Sequence, residues 1–374
     1  MNTVKPKIIA FMNAFSQGKS GGDMVFIEVA KRIKEFDKIV ITSLLGKKLC
    51  QKSGLRGKFL ITTTEQEFKN IILTYFKRTI KSFLLIFKIE KEDIFLGTSD
   101  FLPDVLPIFW LKVKNRKNKW IQHIFHLIPS SRKIPFCAQR LSFLLIKILA
   151  DTIIVDNKLL KNDLIKMGFK IQKIFVNYPG ANLKYLKSVK KDREGYNGIF
   201  MARLHPSKGI FDLIRIWKLV CQKKPEARLG VIGRGDERVI NKLRSKIKLS
   251  GLEKNIDLLG FLEDDEAFGL IKASQVFVFP SHEEGFGIAP LEAQALGVPA
   301  VAWSLPVFAE VFPKGMIKVK KGNFKEFANK TIRLFQDKDF YDQLSRLAVE
   351  NASRFNWDNV AKKQLRLLTE NKIF

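Results

Sequence analysis

Acid is scarce in this chain: 37 Asp and Glu face 66 Lys and Arg among 374 residues, a formal charge of +29. A field of that sign draws anionic partners, whether nucleic acid, acidic lipid or a phosphorylated substrate. Cysteine is scarcer still. Cys50, Cys137 and Cys221 stand far apart with no CxxC pair, which excludes a disulfide framework and offers no zinc site, so a reducing, cytoplasmic setting is expected. No charged segment followed by an apolar stretch and a cleavage site opens the sequence, and no secretory signal is expected. No run reaches the roughly 18 apolar residues of a spanning helix. The nearest, Leu141 to Val155, is broken by Lys147 and Asp151. Zinc-finger spacing, RNP-like aromatic motifs and basic-zipper heptads are absent as well, which sets nucleic acid aside. Tyr and Trp number only five each, but 32 Phe bring the hydrophobic share to 46% beside 28% charged residues, a globular composition.

The positive charge is uneven: residues 1–190 carry 35 basic and 14 acidic side chains, a net +21. An anionic membrane surface accounts for this asymmetry, since each basic residue near acidic lipid contributes about 1 kcal/mol. The segment after Arg132, Lys133 and Arg140, with Leu141, Phe143, Leu144 and Leu145, has the periodicity of an interfacial helix. An amphipathic core helix and a lysine-rich solvated surface are the plainer alternatives.

Apolar runs alternate with helical patterns along the chain. Lys7 to Met12 reads as a strand, Asp23 to Phe36 as a helix, and further strands follow at 38–42, 93–97, 120–123 and 152–155. The polar stretch KKDREGYN, 190–197, interrupts the series, and a second begins with strand 198–201 and helix 210–222. It continues with strands 228–232, 256–259 and 276–280 and helices 238–248 and 264–273. Two α/β domains with parallel sheets are the expected architecture, spanning 1–192 and 193–350, with a helical segment at 351–374 returning to the first. Ligands of such sheets bind at the carboxyl ends of the strands.

The richest segment is PSHEEGFGIAPLEAQALGVPAVA, 280–302, which reads as a strand end, a glycine turn and a helix. Gly285 and Gly287 allow close backbone approach, and the amides opening the helix favour an anion, phosphate above all. Glu284 and Glu292 lie eight residues apart on either side of this turn, and ionised carboxylates are strong acceptors for sugar hydroxyls. A helix-terminal acid cluster favouring the dipole is the alternative reading of the same residues.

This segment resembles the E-x7-E signature of retaining glycosyltransferase family 4. The resemblance implies the GT-B fold, two Rossmann-like domains with parallel sheets facing a central cleft, and a nucleotide-sugar donor carrying UDP or GDP. MARLHPSKGIFDLI, 201–214, is similar to the family's phosphate-binding segment, with Arg203 and Lys208 as the basic pair on the donor diphosphate. VIGRGDE at 231–237 and LGF at 259–261 resemble turns lining the nucleotide pocket and bring in Gly233 and Gly260. SQGKSGGD at 16–23 resembles the glycine-rich loop after the first strand, where Gly21 and Gly22 would approach the donor phosphate or the acceptor. That loop also nearly spells a Walker A motif through Gly18, Lys19 and Ser20, but Asn13 stands where its leading glycine belongs, so a P-loop NTPase is a lesser reading.

The resemblance further implies an active-site histidine in WIQHIFHLIP, 120–129, with His126 as the candidate and His123 as its rival. Glu284 would orient the donor sugar and Glu292 hold the ribose hydroxyls. Gly285, Phe286, Gly287 and Ile288 would meet the phosphates. The implied reaction retains the anomeric configuration and needs no bound metal. Its acceptor would be a glycan or a lipid-linked, lipopolysaccharide or polysaccharide precursor, handled on the inner membrane face. A non-catalytic basic scaffold that binds anionic lipid or polymer is the competing expectation.

Overall fold

The computed structural model describes residues 5–14, 20–64, 70–87, 94–192 and 194–369. It forms two compact units, one up to Pro179 and again from Trp357, the other from Gly180 to Asn356. In the first, the order is β1 (Lys7–Met12), α1 (Gly21–Ala30), β2 (Asp37–Thr42), α2 (Leu44–Lys52), β3 (Lys58–Ile61), α3 (Ile71–Ile86) and β4 (Ile94–Gly97). Then come α4 (Leu102–Lys114), β5 (Lys119–Ile124), α5 (Lys133–Leu149), β6 (Thr152–Val155), α6 (Lys158–Lys166) and β7 (Ile174–Val176). Every pairing is parallel, in the order β3-β2-β1-β4-β5-β6-β7. A parallel strand covered on both faces must be apolar throughout, and KIIAFM of β1 is buried from Ile8 to Met12. Phe11, Phe95, Trp120, Ile124, Phe143 and Ile146 anchor the core on one face of this sheet.

The second unit opens with α7 (Leu183–Ser188), followed by β8 (Gly198–Met201), α8 (Ile210–Cys221), β9 (Leu229–Ile232), α9 (Glu237–Leu249), β10 (Ile256–Gly260), α10 (Asp264–Ala273) and β11 (Val276–Phe279). It closes with α11 (Ile288–Ala295), β12 (Ala300–Trp303), α12 (Pro306–Val311), β13 (Met316–Val319), α13 (Phe324–Gln336) and α14 (Lys338–Ser353). Helix α15 (Trp357–Thr369) belongs to the first unit, where it packs on α1 and where Asp358 accepts from Arg32 Nε at 2.7 Å. The second sheet runs β10-β9-β8-β11-β12-β13, again all parallel.

Both orders reverse direction between a first and a fourth strand, the Rossmann arrangement, and the crevice at that reversal is where such sheets bind ligands. In the first unit the reversal lies between β1 and β4, in the second between β8 and β11. The units divide at Pro179, earlier than the expected junction at 192/193, because α7 already packs within the second unit. It lies against α11, and the Tyr185 hydroxyl donates to Asp265 at 2.7 Å.

Candidate functional site

The turn after β8 carries Arg203 and, in a single 3-10 turn over Pro206–Lys208, the lysine of the expected basic pair. Gly209 follows with φ +71, and a Cβ there would stand 1.8 Å from the Pro280 carbonyl oxygen at the end of β11. Only glycine lets the two strand-end turns approach so closely. The contact is reinforced by the His282 amide, which donates to the Ser207 carbonyl at 2.8 Å. The result is an ion pair: Lys208 Nζ lies 2.7 Å from Glu284 Oε1, with the carboxylate side chain only 10% exposed. Arg203 is exposed; its carbonyl accepts from the His205 amide at 2.8 Å, while its side chain makes no hydrogen bond or ion pair with a described residue.

Beyond Glu284, the chain enters α11 through Gly287, which has φ +102 and serves as its N-cap. The first-turn amides of Ile288 and Ala289 have no intrahelical acceptor, and Pro290 behind them has no amide, so this helix end presents donors to an anion. Phe286 is buried at 3% and packs edge-on against Phe355 with ring centroids 5.3 Å apart. Its ring therefore fixes the turn and is not available on the surface. Glu292 lies one turn into α11 and is half-buried. Gly233 and Gly260 sit at the ends of β9 and β10, joined by a 2.7 Å bond from the Gly233 amide to the Gly260 carbonyl.

Asp212 of α8 escapes the sequence reading. One carboxylate oxygen meets His282 Nε2 at 2.8 Å and accepts from the Trp303 indole at 3.0 Å, so a single side chain fixes the turn after β11 and the end of β12 to α8. Its partners lie 70 and 91 residues away, a distance at which no local pattern exists to find them.

In the first unit, residues 16–19 of the glycine-rich loop lie outside the described residues. Ser20 caps α1 in a reciprocal capping box with Asp23, and Gly21 and Gly22 form the first turn. A Cβ on Gly22 would meet the Phe125 ring at 2.8 Å, which gives this glycine a packing reason of its own. Asn13, after β1, is fully buried. Its amide donates to Asp104 Oδ1 at 2.6 Å, and its side chain donates to Ser82 and accepts from Thr62. Burial pushes the Asp104 carboxyl up to about 8, opposed by its hydrogen bonds from Ser99 and Asn13.

The two candidate histidines part company. His123 is the fifth residue of β5, 3% exposed, and neither ring nitrogen reaches a hydrogen-bond partner. Burial lowers it to about 4, and the Gln364 side chain, which faces the ring without reaching hydrogen-bond geometry, offsets that only in part. His126 lies beyond the strand end, exposed, its carbonyl held by Gln139 Nε2 at 2.9 Å. Among the described residues no group of three His, Cys, Asp or Glu side chains is arranged to hold a metal ion.

The fold matches solved structures over its whole length. An Anabaena protein, HepE, crystallised with UDP and glucose, superimposes with a TM-score of 0.82 over 98% of this chain and 100% of its own, at 17% identity, a likeness of fold in the GT-B class. Sequence similarity is more local. A mannosylfructose-phosphate synthase from Agrobacterium fabrum is 27% identical over 48% of this chain. The capsular polysaccharide biosynthesis glycosyltransferase CapM from Staphylococcus aureus is 30% identical over 46%. The matches span 42% and 47% of those relatives, less than half of either. Residues 184–351, all within the second unit and including Arg203, Lys208, Glu284 and Glu292, match the family model described as glycosyl transferases group 1.

Proposed function

We propose that the chain transfers a sugar from a UDP- or GDP-sugar to a glycan or lipid-linked acceptor, with retention of anomeric configuration. The observation that carries this reading is the Lys208–Glu284 pair at the reversal point of the second sheet, beside a helix that opens on a left-handed glycine. When the anomeric bond breaks, negative charge grows on the departing diphosphate, and stabilising it is the main task. Arg203, Lys208 and the amides opening α11 supply positive potential there, with Gly285, Phe286, Gly287 and Ile288 contributing backbone rather than side chains. Gly233 and Gly260 line the nucleotide.

Glu292 holds the ribose hydroxyls, and Glu284 both steadies Lys208 and orients the donor sugar. His126, exposed at the end of β5, acts near the transferred sugar, while His123 is a buried member of the sheet. Gly21 and Gly22 belong to the loop that approaches donor phosphate or acceptor. No residue is placed to attack the sugar covalently in this reading. The incoming hydroxyl approaches on the leaving-group side, with a donor phosphate oxygen taking its proton, and no resident metal is required. The name of CapM, a capsular polysaccharide enzyme, supports a polysaccharide precursor as acceptor. The basic first unit supports an acceptor at an anionic membrane surface on the cytoplasmic side.

Release of UDP or GDP from a panel of nucleotide sugars, with and without a lipid-linked saccharide, tests the reading, and the anomeric proton coupling of the product tests retention. Turnover of one donor with an axial product from an axial donor is expected. An inverted linkage would sink the mechanism, and no turnover or nucleotide binding in folded protein would favour the non-catalytic scaffold.

A further inference from the structure

Along most of its length helix α3 turns polar side chains inward and apolar ones outward. Its buried stripe is polar for three turns, with Thr74, Arg78 and Ser82 at most 1% exposed, and only its last position, Ile86, joins the hydrophobic core, while the positions one turn apart on its outer side, Ile72, Phe76, Ile80 and Leu84, are 45–63% exposed. The inner stripe has a structural purpose. Arg78 donates to the Asn13 carbonyl and to Thr63 Oγ1, and Ser82 accepts from Asn13 Nδ2, so the helix holds the strand-end loop at the reversal point of the first sheet. Among the described residues the outer stripe is turned away from the unit's core, whereas surface helices ordinarily turn their polar side to water.

The apolar surface continues onto neighbouring helices of the same layer. Phe83 meets Trp110 of α4 edge-on at 6.5 Å, and Lys114 Nζ rests over the rings of both Phe87 and Trp110, 4.8 and 5.1 Å from their centroids. Beside α4, helix α5 turns Leu141, Leu144 and Ile148 outward. Neither α3 nor α5 contains an acidic residue, whereas Lys77, Lys81, Arg140 and Lys147 are exposed among these side chains. A second copy of this face would set cation against cation. An anionic bilayer surface matches both parts at once, the apolar ridge entering the headgroup–acyl boundary and the ammonium groups reaching lipid phosphate. No helix among the described residues is long and apolar enough to cross a membrane, so α3 would lie along the surface.

We propose that the outer face of α3, continued by Trp110 and the outer ridge of α5, is the seat of an anionic lipid surface. This deepens the membrane element of the proposed function by naming the face, and it rests on that reading only for its purpose. The geometry that carries it is independent of donor chemistry. It also extends beyond the α5 segment singled out by periodicity, because α3 supplies the larger part of the ridge.

Trp110 is itself the reporter. It is 41% exposed, whereas Trp120, Trp217, Trp303 and Trp357 are buried, so quenching of tryptophan emission by brominated lipid reads this face. The full chain is mixed with brominated phosphatidylcholine vesicles with and without phosphatidylglycerol, at physiological ionic strength, and sedimented in parallel. Expected are co-sedimentation with the anionic vesicles only, quenching that Trp110→Phe removes, and roughly a tenfold or greater loss of binding in a Phe76→Asp, Ile80→Asp double variant. Circular dichroism and UDP or GDP titration of the same samples establish that the variant is folded and report separately on the second unit. Absence of vesicle binding, binding that survives the double substitution, or a variant that only converts a dimer to a monomer in sedimentation velocity would overturn the proposal.

Discussion

Lys208 Nζ and Glu284 Oε1 stand 2.7 Å apart although 76 residues separate them, and their contact joins the turns after β8 and β11 at the point where the second sheet reverses direction. A lysine held in this way is aimed before any ligand arrives, which is what electrostatic stabilisation of a developing charge requires. The same pairing holds the Glu284 carboxylate at a fixed place beside the turn that opens α11.

Substitution at this pair should affect rate far more than fold. Glu284→Gln and Lys208→Met are each expected to lower kcat by about a hundredfold, equivalent to about 3 kcal/mol of transition-state stabilisation. Donor turnover and thermal denaturation measured side by side check this. A rate within a factor of a few of wild type would remove the pair from the reaction.

The Arg203 side chain is exposed and pairs with no described residue, so Arg203→Ala should leave stability unchanged. Its expected signature is selective: affinity for the nucleoside diphosphate drops about tenfold, as for a lost charge-assisted hydrogen bond, while affinity for the bare nucleoside is unaffected. Parallel titrations with the two ligands distinguish loss of a phosphate contact from general damage to the pocket.

Gly287 is a backbone requirement. Alanine there would have to adopt φ +102, and its Cβ would press on Phe312, Pro290 and Phe308 at 3.1–3.2 Å. Gly287→Ala should cost about 1–2 kcal/mol in urea unfolding and weaken diphosphate binding, because the strain falls on the turn that presents the α11 amides. Unchanged stability would show that the turn tolerates a side chain.

His123 gives the pH dependence its sign. Its folded value is depressed to about 4 against an ordinary 6.5, so the unfolded chain binds the extra proton between those values and stability falls as pH drops through that window. The full effect is on the order of 3 kcal/mol. Asp104 runs the other way: its raised value near 8 gives stability present in acid and lost as pH rises from about 4 towards 8. The readout is therefore the difference between wild type and His123→Gln. That difference should change between pH 6.5 and 4 and stay flat above 7, and a flat difference throughout would mean that His123 is not buried as described.

Much of the architecture is legible in the sequence because parallel strands buried on both faces form continuous apolar runs. Strands 7–12, 152–155 and 198–201 have the bounds read from the sequence, and helix 264–273 begins at its acids. Helix α1 ends at Ala30 although its periodicity continues to Phe36, since Ile33 and Phe36 are buried by the following turn and keep the apolar spacing without the helix. Edge strand β3, KFLI, is only half-buried and gives a weak signal. Helix α3 hides for another reason: Thr74, Arg78 and Ser82 face in while Ile72, Phe76, Ile80 and Leu84 face out, so reading periodicity as a core face points the wrong way.

The carboxylate and basic residues of the candidate site are legible through their spacing and the family resemblance. The Asp212 and Asn13–Asp104 networks that hold the turns are not, because their partners meet only after folding.

In the proposed function the second unit binds a nucleoside diphosphate with Glu292 on its ribose. Calorimetric titration of UDP and of GDP into wild type and Glu292→Ala tests it most directly. Saturable binding of one nucleotide to the wild type is expected, weakened at least about tenfold in the variant. Equal affinity in both proteins, or no binding of either nucleotide by folded wild type, would contradict it.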